Sequence, residues 1–260
     1  MLRVAEARVD RGPVGNGVNQ SHIVECDDGL SYIVKPHGND RQFANELIGL
    51  AIGELLSIPM PDGGLITITE DFRTAASGMA PRYAAGVHFG SLQEGRPHFT
   101  FVNPEPDLVQ SEVANASKLY DLVVYDELVA NGDRKHNAGN TLLVRVKDSS
   151  PKFEFRAIDN GHILTGPGWT AQTLAAHPLA PLVPVYKWFE SCMTSLSMLS
   201  TAAATADSVK SQFDETVDRS RAQLSESDKV AVREFLLRRA SQLPSWVCGP
   251  QYAAELTAMK

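Results

Sequence analysis

Along the first third of the chain, apolar and polar positions alternate in short runs broken by turn-forming residues. That is the two-residue period of strands with one buried face. Residues 3–9 and 21–26 are two such runs. Between them lies Asp10-Arg11-Gly12-Pro13-Val14-Gly15-Asn16-Gly17-Val18-Asn19-Gln20, and its Asn16-Gly17 pair favours a tight hairpin turn. Ser31-Tyr32-Ile33-Val34-Lys35-Pro36 predicts a strand with Lys35 at its end, since the following proline has no N–H for the ladder. Over residues 45–56 the apolar spacing becomes helical and stops near Ile58-Pro59-Met60-Pro61. Residues 65–69 predict another strand. Residues 71–110 carry less pattern, with 86–91 and 97–102 suggesting a strand and a connector.

From Glu112 onward helical spacing dominates. Residues 118–129 place Leu119, Leu122, Val123, Leu128 and Val129 in one stripe, which leads straight into Asn131-Gly132-Asp133-Arg134-Lys135-His136-Asn137-Ala138-Gly139-Asn140. Two apolar runs follow, 141–146 and 153–158, joined by the polar Lys147-Asp148-Ser149-Ser150-Pro151-Lys152. They predict a β-hairpin, which returns the chain to its starting point and so brings Asp133 and Asn140 near Asp159. Ser225-Glu226-Ser227-Asp228 has the form of a helix N-cap ahead of Val230, Val232, Phe235, Leu236 and Leu237. The small-residue stretch 201–206 predicts a loop or a loosely packed helix end. The expected organisation is α+β in two lobes: a mixed sheet with one helix over residues 1–110, and a mainly helical lobe over 111–260.

Composition narrows the function. A chain of 260 residues can bury a sizeable core, and 43% apolar with 21% charged residues is ordinary globular usage. The net charge of −7 lacks the basic surplus of a phosphate-neutralising nucleic-acid binder. Cys26, Cys192 and Cys248 are odd in number and widely spaced, which argues against a disulfide framework or a zinc cluster and for a reducing cytoplasm. No run approaches the roughly 18 apolar residues of a membrane span, so a soluble, cytoplasmic protein without a membrane partner is expected.

The hairpin ends carry the candidate chemistry. A carboxylate placed to take a hydroxyl proton, with a carboxamide and a second carboxylate to hold magnesium on ATP, is what phosphoryl transfer needs. Asp133 fits the first role; Asn140 and Asp159 fit the second. Many kinases place the asparagine about five residues after the catalytic aspartate. Here Ala138 holds that place, between Asn137 and Asn140, and Asn140 is preferred because it directly precedes a strand. Upstream, Lys35 could reach ATP phosphates while the helix-borne Glu46 holds its ammonium, and the backbone of Gly15, Asn16 and Gly17 could approach phosphate. Each residue has a plainer reading as a turn former, a strand end or a solvated charge. Their order along the chain is what favours the functional one. His136 and His162 read as histidines bracing their loops, and no histidine shows zinc-ligand spacing.

Together these segments resemble the HipA-like kinases, atypical bacterial Ser/Thr kinases distantly similar to the phosphoinositide kinases. The resemblance lies in Ser31-Tyr32-Ile33-Val34-Lys35-Pro36, Asn45-Glu46, Ile58-Pro59, Asn131-Gly132-Asp133-Arg134 and Ile158-Asp159-Asn160-Gly161-His162. It implies a two-lobed protein-kinase-like fold with ATP and Mg²⁺ in the cleft. Lys35 and Glu46 would act at the phosphates, Asp133 as base, and Asn140 and Asp159 at the metal, with a Ser/Thr hydroxyl of a protein as acceptor. The chain is shorter than the HipA toxin, so that protein's target and DNA-binding partner do not carry over. Two rivals share the scaffold: a small-molecule phosphotransferase, and a nucleotide-binding pseudokinase or interaction module.

Overall fold

The computed structural model describes residues 2–14, 21–36, 40–76, 83–94, 99–100, 109, 111–146, 153–182, 204–207, 212 and 224–247. Gly15, Asn16 and Gly17 lie outside the described residues, as do Cys192 and Cys248.

The alternating N-terminal runs form strands β1 (Leu2–Pro13), β2 (His22–Cys26), β3 (Ser31–Val34), β4 (Gly63–Ile68) and β5 (Gly86–Leu92). The sheet closes on itself in the order β1-β2-β3-β5-β4. Every neighbour pair is antiparallel except β1 with β4, which run parallel with Leu2 opposite Gly63 and Ala5 opposite Ile66. Closure leaves no free edge. The inward positions follow the two-residue period: His22, Val24 and Cys26 on β2, Tyr32 and Val34 on β3. Burial and the Asp28 carboxylate push the Cys26 thiol pKa up to about 12, so it packs as a neutral side chain. Lys35 sits one residue beyond β3, and its N–H donates to Phe89 O at 3.3 Å.

Helix α1 (Asp40–Leu55) lies between β3 and β4 and starts five residues earlier than its apolar spacing predicts. A second helix, α2 (Glu70–Ala75), joins it, where the sequence pattern predicts one helix. It is short, and Thr69 caps it by accepting from Phe72 N–H at 3.2 Å.

Beyond the barrel, α3 (Lys118–Val129) ends at Ala130, whose left-handed φ of 55° turns the chain toward α4 (Gly132–His136). A single 3₁₀ turn, Ala138–Asn140, follows. The predicted hairpin is present as β7 (Thr141–Arg145) and β8 (Phe153–Ala157), with Thr141 opposite Ala157 and Arg145 opposite Phe153, and the short β6 (Phe99–Thr100) pairs with β7. Helices α5 (Ala171–Ala176) and α6 (Glu226–Val247) complete the described elements. Ser225 caps α6 as predicted, accepting from Asp228 N–H at 3.2 Å. The Asp228 carboxylate in turn meets Arg41 of α1 at 2.9 Å, and Arg41 stacks 4.0 Å over the Trp169 ring. Residues 204–207, which include the end of the small-residue stretch, are helical. None of the described helices is long and apolar enough to cross a membrane.

The larger core packs one face of α1 (Ile48, Ile52) on α3 (Leu122, Val123, Leu128), β8 (Phe155) and α6 (Phe235, Leu236). Gly49 allows α1 to approach the turn after β8. A Cβ there would stand 2.5 Å from Asn160 Cβ and 3.0 Å from the Tyr125 hydroxyl. Alanine is ordinarily worth about 1 kcal/mol over glycine inside a helix. At this position Gly49→Ala is expected to destabilise the protein instead, by about 1–3 kcal/mol in urea unfolding, because buried backbone and side chain must move apart.

Candidate active site

Asp133 lies on α4, in the turn that Ala130 opens. Its Oδ2 accepts from Asn140 Nδ2 at 2.7 Å, and Asn140 Oδ1 accepts from Asn137 Nδ2 at 3.2 Å. Asn140 is buried and Asn137 exposed, so Asn140 is the carboxamide held against Asp133. The longer Asp133–Asn140 segment is absorbed by the 3₁₀ turn, which places Asn140 at the foot of β7.

Across the hairpin, Asp159 follows β8 with φ of 63°, a left-handed conformation that aspartate tolerates better than most residues. Its carboxylate lies 3.0 Å from Lys35 Nζ, and Lys35 donates to Glu46 Oε1 at 2.6 Å. Glu46 Oε2 accepts from Asn160 N–H at 3.0 Å. The structure therefore brings together Lys35 from the barrel, Glu46 from α1 and Asp159 from the turn after β8. Burial works against the Lys35 charge, but Glu46 and Asp159 overcome it and hold the ammonium pKa above the usual lysine value. Burial likewise opposes the Asp159 charge, and Lys35, with His162 and Arg134 behind it, holds that carboxyl below its usual range.

The two groups are joined by a side chain to which the sequence motif assigns no role. Arg134 is fully buried. It donates to the Asp126 carboxylate, to Asn140 O at 3.3 Å, to Ile158 O at 2.8 Å and to Asn160 Oδ1 at 3.1 Å. Ile158 N–H also donates to Asn140 O at 3.0 Å. Asn45, beside Glu46, donates to Gly161 O and Ile163 O, both at 2.9 Å, and accepts from Trp169 Nε1 at 2.8 Å. One signal for this network is legible in the chain: Asp126 and Glu127 interrupt an otherwise apolar helix face, and buried acids require partners.

A cleft opens from Lys35 between the barrel and the hairpin. Ile33, Leu92, Leu142, Val144 and Ile158 form apolar walls, and Gln93 and Glu94 also line it. Arg156 Nε donates to Glu94 Oε2 at 2.8 Å across the mouth.

The donor set suits a hard divalent cation. Asp159 offers carboxylate oxygen and Asn140 carboxamide oxygen, while no cluster of three or more His, Cys, Asp or Glu able to hold a metal occurs among the described residues. Mg²⁺ keeps several waters and takes only one or two protein groups alongside substrate phosphates, and two oxygen donors fit that habit.

The Helicobacter pylori proinflammatory kinase CtkA has a similar structure, with a TM-score of 0.60 at 14% identity over 99% of both chains. The Golgi casein kinase is also similar. Its Mn/ADP-bound structure gives a TM-score of 0.52 at 12% identity over 97% of this chain and 75% of that one. A second structure of that kinase gives 0.50 at 11% identity over 98% and 76%. At these identities the likeness establishes a kinase-like fold. No curated protein sequence matches the chain. The HipA-like kinase family matches residues 10–162, more than half of the chain, and the protein belongs to that family.

Proposed function

We propose that the chain is an ATP- and Mg²⁺-dependent kinase that transfers the γ-phosphate to a Ser/Thr hydroxyl of a protein, with ATP between a lobe of residues 1–110 and a helical lobe of residues 111–260. The observation that carries this reading is the Lys35–Glu46–Asp159 cluster, whose Lys35 lines an apolar cleft and which is tied through Arg134 to the Asp133–Asn140 pair. The adenine ring would lie between Ile33 and Val144, and the Lys35 ammonium would turn from Asp159 to the phosphates. Glu46 limits the swing of that ammonium, so its position costs little at the moment of reaction. Asn140 orients the Asp133 carboxylate, which takes the proton of the acceptor hydroxyl as the oxygen attacks phosphorus. Asp159 and Asn140 would hold the magnesium, which supplies charge neutralisation on the phosphate oxygens. The Mn/ADP complex of the Golgi casein kinase supports nucleotide with a divalent cation on this fold. The cysteine usage supports a cytoplasmic setting.

Asp133→Asn retains an acceptor for the Asn140 amide but cannot take a proton. Transfer of label from γ-labelled ATP is expected to fall by about 100-fold or more, with nucleotide affinity by calorimetry unchanged. Wild-type turnover in this variant would remove Asp133 from the chemistry.

The depressed carboxyl of Asp159 has a consequence for stability. Its ionised form supports the native state at pH above about 3.9, the unfolded value, and that support is lost as pH falls through the lower native value. Unfolding free energies from urea titrations are expected to drop more steeply below about pH 4 in the wild type than in Asp159→Asn. Parallel curves would mean that Asp159 carries no stabilising charge in the native state.

A further inference from the structure

The Asp133 carboxylate lines a recess together with His162, Thr165, Gly166, His177 and Leu182. One carboxylate oxygen is engaged by Asn140, and an acceptor hydroxyl seated in the recess would lie beside Asp133.

Its walls are held from behind. On one side Asn45 grips the carbonyls of Gly161 and Ile163, and Leu164 N–H donates to Val129 O at 2.8 Å. The backbone then runs left-handed through Leu164 and Thr165, at φ of 56° and 74°. On the other side Leu182 N–H donates to the Glu127 carboxylate at 2.8 Å. Arg239, fully buried, donates to Glu127 O at 2.7 Å and to Ala180 O at 3.4 Å. The His177 ring sets its edge against Phe235 at 5.6 Å. Burial and the nearby Arg239 push its pKa down, so the imidazole is neutral at pH 7 and can both donate and accept a hydrogen bond.

Asp133 is the one carboxylate among the described lining residues. The neighbouring arginines are committed elsewhere: Arg134 to Asp126 and the Asp159 turn, Arg238 to Leu174 O and Ala175 O, and Arg239 to Glu127. An anionic acceptor would meet the Asp133 charge with none of these guanidinium groups to offset it.

We infer that His162 and His177 are the specificity-determining residues of the acceptor site, selecting a hydroxyl on an uncharged stretch of polypeptide over one on an anionic metabolite. This rests on the kinase reading above. In the step they serve, the acceptor O–H proton passes to Asp133, the oxygen–phosphorus bond forms, the bond between the γ-phosphorus and its bridging oxygen breaks, and ADP leaves with the electron pair. The imidazoles position the acceptor by hydrogen bonds to its hydroxyl or its flanking amide groups, and they take no proton.

The test uses the full chain with Mg²⁺ and two acceptors: an acetylated, amidated nonapeptide of alanine and glycine around one serine, and glycerol 3-phosphate. With a non-hydrolysable ATP analogue bound, the peptide is expected to shift the imidazole NMR signals of His162 and His177, assigned from His162→Ala and His177→Ala, and glycerol 3-phosphate to shift neither. In turnover with ATP, each substitution is expected to raise the peptide KM about tenfold, the loss of one hydrogen bond, with the KM for ATP held. Preference for glycerol 3-phosphate, unmoved imidazole signals, or an unchanged peptide KM would each overturn the inference. Imidazole signals that respond to the peptide without any label transfer would leave the acceptor site standing and remove the phosphotransferase reading instead.

Discussion

Glu46 is a carboxylate with each oxygen spoken for by a different part of the molecule. One accepts the Lys35 ammonium at the end of β3, and the other accepts the N–H of Asn160 in the turn after β8. Because Glu46 is almost fully buried, neither contact can be exchanged for water. Taking such charges out of water costs several kcal/mol per ion, and the attraction between them repays that only when the geometry is good and the remaining lone pairs are filled. Burial raises the pKa of Glu46, against which the Lys35 ammonium and the Asn160 N–H act. The pair is thus a weak source of stability and a strong source of placement. It specifies where α1 stands relative to barrel and hairpin, and any arrangement that separates them strands a buried charge.

Arg134 extends the same logic into the hairpin. A planar guanidinium with five donors in a rigid fork can satisfy a carboxylate and several carbonyls at once, which a lysine could not do. Here it binds Asp126, Asn140, Ile158 and Asn160, so that the segment bearing Asp133 and the turn bearing Asp159 share one side chain. The hairpin brings these segments near each other through its ladder; the guanidinium sets their relative position. Gly49 belongs to the same constraint, since its missing Cβ is what lets Asn160 lie against α1 within reach of Tyr125.

The local features of this architecture were legible in the chain. Both hairpin runs, the helix over 118–129, the strand ending at Lys35 and the Ser225 cap depend on residues close in sequence, where period and turn chemistry speak directly. The parallel pairing of β1 with β4, which closes the barrel, joins segments about 60 residues apart and leaves no periodic trace. Helix α2 was missed because it is too short for a stripe, although Thr69-Glu70-Asp71 offered a capping residue followed by acids. Within the site, Asp133, Asn140 and Asp159 stood out because the hairpin requires its two ends to meet. Asn45, Asn160 and Arg134 did not, because their partners lie on other elements and only the assembled fold says which polar groups are buried together.

Asp126 and Glu127 show how one helix serves both sides of the site. Successive residues on an α-helix point about 100° apart, so two adjacent acids at the buried end of α3 face different neighbours. Asp126 receives Arg134 and thereby the segment carrying the proposed base. Glu127 receives Arg239 of α6 and the N–H of Leu182, and thereby the far wall of the recess beside that base. Neither acid points into the cleft. Breaking either pair would leave an unpaired buried charge, at a cost of about 3–5 kcal/mol, a large fraction of the stability of a typical domain. The distance between the proposed base and the wall that would present its acceptor is therefore set by the backbone of a single helical turn, which deforms far less readily than a surface loop. That is the form of pre-organisation a phosphoryl-transfer site needs, where little covalent chemistry falls to the protein and most of its contribution is placement.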